Sequence, residues 1–229
     1  MDEVEGQLAG AGPGPHLRYL LERGRTFNSS GDQDTARELF VQAWEEAGAA
    51  GMEGLAVDAA HMAAITCSGT PAAIDWNLRG LAMARASQDA KARALLPAML
   101  NNTAWDLHEM GRFSEALRLF EEAQSEWEKR GKLPRIQVAR WSVARCLRSL
   151  GRYDEALSIQ LALEAEHNAA GTADGYVYEE IAENLAALGR PEAAQPYWGR
   201  AHDELSQDDW FVKNEAERLA KLKARAGRQ

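Results

Sequence analysis

Five glycines recur along the chain, and each is followed five positions later by a small or aliphatic residue. The pairs are Gly31 and Ala36, Gly69 and Ile74, Gly111 and Ala116, Gly151 and Ala156, and Gly189 and Ala194. The glycines stand 38, 42, 40 and 38 residues apart. Self-similarity at such a period dictates an array of stacked supersecondary units. Each unit buries its apolar face only against its neighbours, so 229 residues read as one array and not as several independent cores.

The period inside each unit is helical. Apolar or small residues return every three or four positions, as in Leu17, Leu20, Gly24 and Phe27, or Ile136, Ala139, Val143, Leu147 and Leu150, or Tyr178, Ile181, Leu185 and Leu188. No segment alternates as a strand would. Each repeat glycine falls where one helix should stop, in the left-handed conformation that closes a helix. Asp32, Ser114 and Asp154 then suit the start of a second helix. The unit is helix, tight turn, antiparallel helix. Gly, Pro, Ser and Asp mark longer breaks between units, at 48–51, 87–89, 131–134, 171–175 and 206–209. The organisation expected is a flexible Gly/Pro-rich arm over 1–15, the repeat array over 16–206, and a capping helix and tail over 207–229.

Small residues recur for a steric reason. Gly24, Met62, Ala104, Ala144 and Ala182 lie seven positions before the turn glycines, and Ala36, Ile74, Ala116, Ala156 and Ala194 lie five after. Small side chains let helix axes approach to about 8 Å. Phe40, Phe120 and Trp198, nine after their glycines, fill the space between. Gln160 breaks that pattern in the fourth unit. In the second unit Met62, Ile74 and Leu78 imply a wider or differently packed crossing.

The segment 101–123 (NNTAWDLHEMGRFSEALRLFEEA) resembles a tetratricopeptide (TPR) repeat, and 140–163 and 178–201 resemble two more. Residues 17–43 match less well and 55–81 least. The period of about 40 residues is similar to the longer repeats of kinesin light chains and bacterial peptide-sensing TPR regulators, against the usual ~34. The resemblance implies an all-α, right-handed TPR superhelix of about five helix-turn-helix repeats with a C-terminal capping helix.

Composition excludes several functions. The net charge of −9 argues against direct binding to nucleic acid or anionic membrane. The exception is the stretch 213–228, where six cations meet two carboxylates, read as charge near a helix C-terminus. Two isolated cysteines, Cys67 and Cys146, make no disulfide framework and fit a reducing compartment. With neither a leader nor an apolar run long enough to span a bilayer, the expected location is cytoplasmic. The five histidines show no metal-ligand spacing and no nucleophile motif is present, so no enzyme, metal or cofactor is expected.

In TPR proteins the first helix of each pair lines the concave face, so the resemblance implies where a ligand lies. The candidates are Arg18, Leu21, Arg25 and Asn28; Ala56, Ala59, Ala63 and Thr66; Ala98, Asn101, Trp105 and His108; Val138, Trp141, Arg145 and Arg148; and Tyr176, Glu179, Glu183 and Ala186. From these, Asn101, Trp105, His108, Trp141, Arg145, Arg148 and Tyr176 form the expected peptide site. Asn can hold a peptide backbone, Arg can fork onto a carboxylate, and Trp supplies rigid apolar area. The bland alternative pairs Arg145 and Arg148 with Glu179 and Glu183 and puts both tryptophans in the inter-repeat core. The function expected is a non-enzymatic scaffold for a protein or peptide segment. The alternatives are a homodimer formed through Trp44, Trp76 and Trp127, or the sensor half of a regulator whose DNA-binding part is a separate chain.

Overall fold

The computed structural model describes residues 12–227. Among them every regular element is a helix and none is a strand. The first helix begins at Pro13, inside the span assigned to the N-terminal arm, whose residues 1–11 lie outside the described ones. Two compact units divide near Lys129. The first holds α1 (Pro13–Ser29), α2 (Gln33–Ala49), α3 (Glu53–Ile65), α4 (Pro71–Ala86), α5 (Ala90–Glu109) and nearly all of α6 (Phe113–Arg130). The second holds α7 (Leu133–Ser149), α8 (Tyr153–Ala169), α9 (Gly175–Ala187), α10 (Pro191–Leu205), α11 (Asp209–Asn214) and α12 (Ala216–Arg225).

The five repeat glycines all adopt positive φ, between 72° and 88°. Four of the five turns close by one mechanism. The N–H of the residue just after the glycine, three places beyond the helix, reaches back five residues to a carbonyl: Asp32 to Phe27, Arg112 to Leu107, Arg152 to Leu147 and Arg190 to Leu185, at 2.9–3.0 Å. This closure satisfies carbonyls that would otherwise end the helix unpaired. The Gly69 turn lacks it. There α3 stops at Ile65, and the Thr66 hydroxyl donates to the Ala63 carbonyl at 2.7 Å. Asp32 caps α2 through the Thr35 N–H, as its position suggested. Asp154 does not cap α8: Arg152 holds the N-cap place, and Asp154 sits in the first turn.

Within the first unit, Phe40 lies against Gly24 so closely that a Cβ there would stand 2.5 Å from the ring. Ala104 and Ala116 are fully buried around Phe120. Burying each phenylalanine contributes roughly 1.5–3 kcal/mol. The second repeat packs differently, as its sequence implied. Leu78, in the place of Phe40 and Phe120, turns outward and is 48% exposed. Met99 of α5 covers Gly80 instead, its Cε 2.3 Å from where a Cβ would be.

In the second unit a core runs from Leu157 and Leu163 through Ile181 and Trp198 to Phe211 and Leu222. The expected single capping helix is two. Backbone at Glu215 leaves the helical region, with φ −123° and ψ 30°. The break lets α12 turn back onto α10, so that Phe211 and Leu222 are both buried.

Candidate functional site

Trp141, on α7, points toward the start of α9. Its indole N–H donates to the Tyr176 carbonyl at 3.3 Å, and the two rings meet edge to face at 6.2 Å. Tyr176 in turn meets Phe211 at 5.8 Å. These three aromatics come from α7, α9 and α11, one from each successive layer of the second unit. Asp174 fixes the start of α9 by accepting from the N–H groups of Tyr176 and Val177. The Tyr176 hydroxyl is pushed above its ordinary range, chiefly by burial, with Asp208 adding and Arg218 opposing.

Beside Trp141 and Tyr176 opens a recess of about 420 Å³. Its wall also includes Val138, Leu163, Val177 and His167, and it is mainly apolar. Val138 stands at the rim, 55% exposed. His167 is held by the Thr172 hydroxyl, 3.0 Å from its Nδ1. Val138, Trp141 and Tyr176 are among the residues that the TPR resemblance implies for the ligand face. Leu163 and His167 come from the second helix of the pair, α8, outside the first-helix residues that the TPR resemblance implied.

The two arginines are engaged in the fold. Arg148 forks onto Glu180 at 2.7 and 2.9 Å, and Arg145 Nε lies 3.2 Å from the same carboxylate. Arg145 also donates to the Ser149 hydroxyl at 2.7 Å. The pairing anticipated with Glu179 and Glu183 therefore falls on Glu180. Glu179 and Glu183 are taken by Arg218 and Arg225 of α12, at 2.5 and 2.7 Å. The basic character of the C-terminal segment is thus partly spent on docking α12 to its own unit.

In the first unit, Trp105 lies edge-on to Phe120 at 4.9 Å and to His108 at 5.2 Å, while Asn101 Nδ2 is 3.5 Å from the Asn102 side-chain oxygen. Trp105 is half-buried, partly core and partly surface. The second-repeat residues Ala56, Ala59, Ala63 and Thr66 are all buried, as is Leu21, so they offer a ligand nothing. Their small size serves helix contact: α3 packs on both α1 and α5 as well as on α2 and α4. Glu179 is buried too. Trp44 and Trp76 are half-buried against each other at 6.1 Å, which removes part of the motive for a dimer through them.

Among the described residues no group of three or more His, Cys, Asp or Glu could hold a metal ion, and no helix is long and apolar enough to cross a membrane. Cys67 is half-buried and Cys146 buried, both as free thiols.

Residues 98–128 match the family model of the tetratricopeptide repeat. No curated protein sequence shows significant similarity to the chain. Solved structures do. Kinesin-light-chain-type TPR-like repeats from Podosopora anserina are 18% identical, with 85% of this chain and 97% of that one covered and a TM-score of 0.67. NprR, solved in complex with its cognate peptide NprX, is 17% identical over 97% of this chain and 64% of its own, with a TM-score of 0.59. YrrB, described as a TPR protein with an unusual peptide-binding site, is 15% identical over 93% and 97%, with a TM-score of 0.55. At these identities the likeness speaks for the fold. The chain has the tetratricopeptide-repeat fold, and residues 98–128 carry the family's own sequence pattern.

Proposed function

We propose that this protein is a non-enzymatic scaffold that binds a peptide segment, and that the recess beside Trp141 and Tyr176 anchors one apolar side chain of it. The observation that carries the reading is the recess itself: about 420 Å³, mainly apolar, with an exposed valine at its rim. A cavity of that size suits a single large aliphatic or aromatic side chain, and rigid aromatic walls lose little entropy on contact. Two proteins of similar fold, NprR and YrrB, are described as binding peptides, which supports the same use here. Arg145 and Arg148 act in this reading as supports: by clasping Glu180 they hold α7 against α9, and so hold Trp141 over Tyr176.

The test is selection from a random-heptapeptide phage library on the full chain, followed by titration of the selected peptides. Val138→Asp puts a charge at the rim without disturbing the core, and Trp141→Ala removes a wall. Each should weaken binding by about tenfold or more, with helicity unchanged. Peptides that bind Val138→Asp as tightly as the parent would sink the proposal.

A further inference from the structure

A second recess, of about 250 Å³, lies wholly within the first unit between the second and third repeats. Its wall is polar where the first is apolar. Asn77, Trp105, Asp106 and Glu109 line it, with Ser68 and Asn102. Asp106 is buried, 6% exposed, and accepts from Asn77 Nδ2 at 2.8 Å, from the Ser68 hydroxyl at 3.3 Å and from the Gly69 N–H at 3.4 Å. All three donors are neutral. Neither Asp106 nor Glu109 forms an ion pair with any described cation.

A carboxylate out of water is costly unless a positive charge or a full set of donors compensates it. Every other buried carboxylate among the described residues has such a charge: Glu164 pairs with Arg200, Glu179 with Arg218 and Glu180 with Arg148. Asp106 stands apart from them. A second feature points to the same missing group. Asn77, only 1% exposed, lines this recess, and its side-chain oxygen Oδ1 accepts no hydrogen bond although the amide nitrogen is used. An orphaned buried acceptor calls for a donor. The unmet demands of the recess are therefore one positive charge and at least one N–H. Trp105 adds an aromatic wall, which favours a cation over a neutral donor.

We propose that this recess receives the cationic end of a basic side chain, a lysine ammonium or an arginine guanidinium, presented by a peptide segment. Asp106 and Glu109, one turn apart on α5, supply the countercharge, and Asn77 Oδ1 takes one of the donated hydrogens. The assignment rests on α3, α4, α5 and the Gly69 turn, and stands or falls separately from the apolar recess on α7.

The test is an NMR titration of the full ¹⁵N-labelled chain, following the Trp105 indole N–H. The probes are the capped pentapeptides Ala-Ala-Lys-Ala-Ala, its arginine counterpart and its norleucine counterpart, together with n-butylammonium. The lysine or arginine peptide should shift the Trp105 signal saturably, and the norleucine peptide should not. Asp106→Asn with Glu109→Gln should weaken the basic peptides by about tenfold or more. Equal binding of the norleucine peptide, no saturable shift with either basic peptide, or undiminished affinity of the double variant each overturns the site. An affinity for n-butylammonium equal to that of the lysine peptide overturns the peptide assignment in favour of simple amines. Should Asp106→Asn loosen the Gly69 turn, Glu109→Gln alone decides. Its side chain is exposed, a loss of about threefold is expected, and an unchanged affinity refutes the role. The Trp141 indole in the same spectra reports the apolar recess independently.

Discussion

Arg148 grips the buried Glu180 carboxylate through two parallel hydrogen bonds, 2.7 and 2.9 Å long, with Arg145 at 3.2 Å on the same group. Glu180 is 2% exposed, so the pair joins α7 to α9 inside the fold. The Arg145 guanidinium is held below its ordinary value, first by burial and then by repulsion from Arg148 and Arg218, against attraction from Glu180 and Glu183. Removing the better-placed partner leaves a buried charge with one edge contact. Arg148→Ala should therefore cost about 3 kcal/mol, read as a lower urea midpoint by circular dichroism. Arg148→Lys should recover only part of it, because an ammonium cannot make both parallel bonds. A midpoint unchanged in Arg148→Ala would show that Arg145 alone suffices.

His61, on α3, gives a pH dependence of defined sign. Its imidazole is held below the ordinary histidine value, chiefly by burial, with Arg25 adding to the effect and Asp58 opposing it. Arg25 itself is fixed by two bonds to Asp58, at 2.6 and 2.8 Å. Since the unfolded chain takes up a proton at about pH 6.5 and the folded chain only at lower pH, protonation favours unfolding. The contribution of a neutral His61 is complete above about pH 6.5 and is lost as pH falls toward the depressed folded value. Urea midpoints measured from pH 7.5 to pH 5 should decline in the parent and decline less in His61→Gln. Parallel profiles would remove His61 as the source.

Gln160 is fully buried at the place where other repeats put Phe40, Phe120 and Trp198, and neither end of its amide has a hydrogen-bond partner. An unpaired buried amide costs about 1–3 kcal/mol. Gln160→Met keeps the length of the side chain and removes both polar atoms. It should raise stability by about 1 kcal/mol, and thermal or urea unfolding checks it. A less stable Gln160→Met would mean that the amide is satisfied in solution, by water for instance.

Much of the fold was legible because the residues that repeat are the ones that pack. Gly31, Gly111, Gly151 and Gly189 close their turns by the same backbone bond, and the alanines five positions later are buried as the spacing required. The second repeat was legible as an exception: Leu78 faces outward where Phe40 and Phe120 are buried, and Met99 packs over Gly80. The split of the C-terminal helix at Glu215 left no mark in the periodicity, since both halves keep the helical period and only the core decides that Phe211 and Leu222 must both turn inward.

The candidate site was legible in part. Trp141, Tyr176 and Val138 could be found because the TPR resemblance implies the first helix of each pair and helical spacing then selects residues on it. Leu163 and His167 could not, coming from a neighbouring helix. Nor could the fate of the arginines be read. Along the chain Arg148 stands at similar distances from Glu179, Glu180 and Glu183, and only the rotation of α9 selects Glu180 and leaves the other two to α12. Asn77 and Asp106, 29 residues apart, carry no shared motif at all. The sequence by itself determined a helical array and its period, because backbone closure and close helix approach demand particular residue types at particular intervals. Which polar side chains are spent on each other, and which are left with unmet charge or hydrogen bonds, depends on helix rotation and distance in three dimensions, and only the tertiary structure decided it.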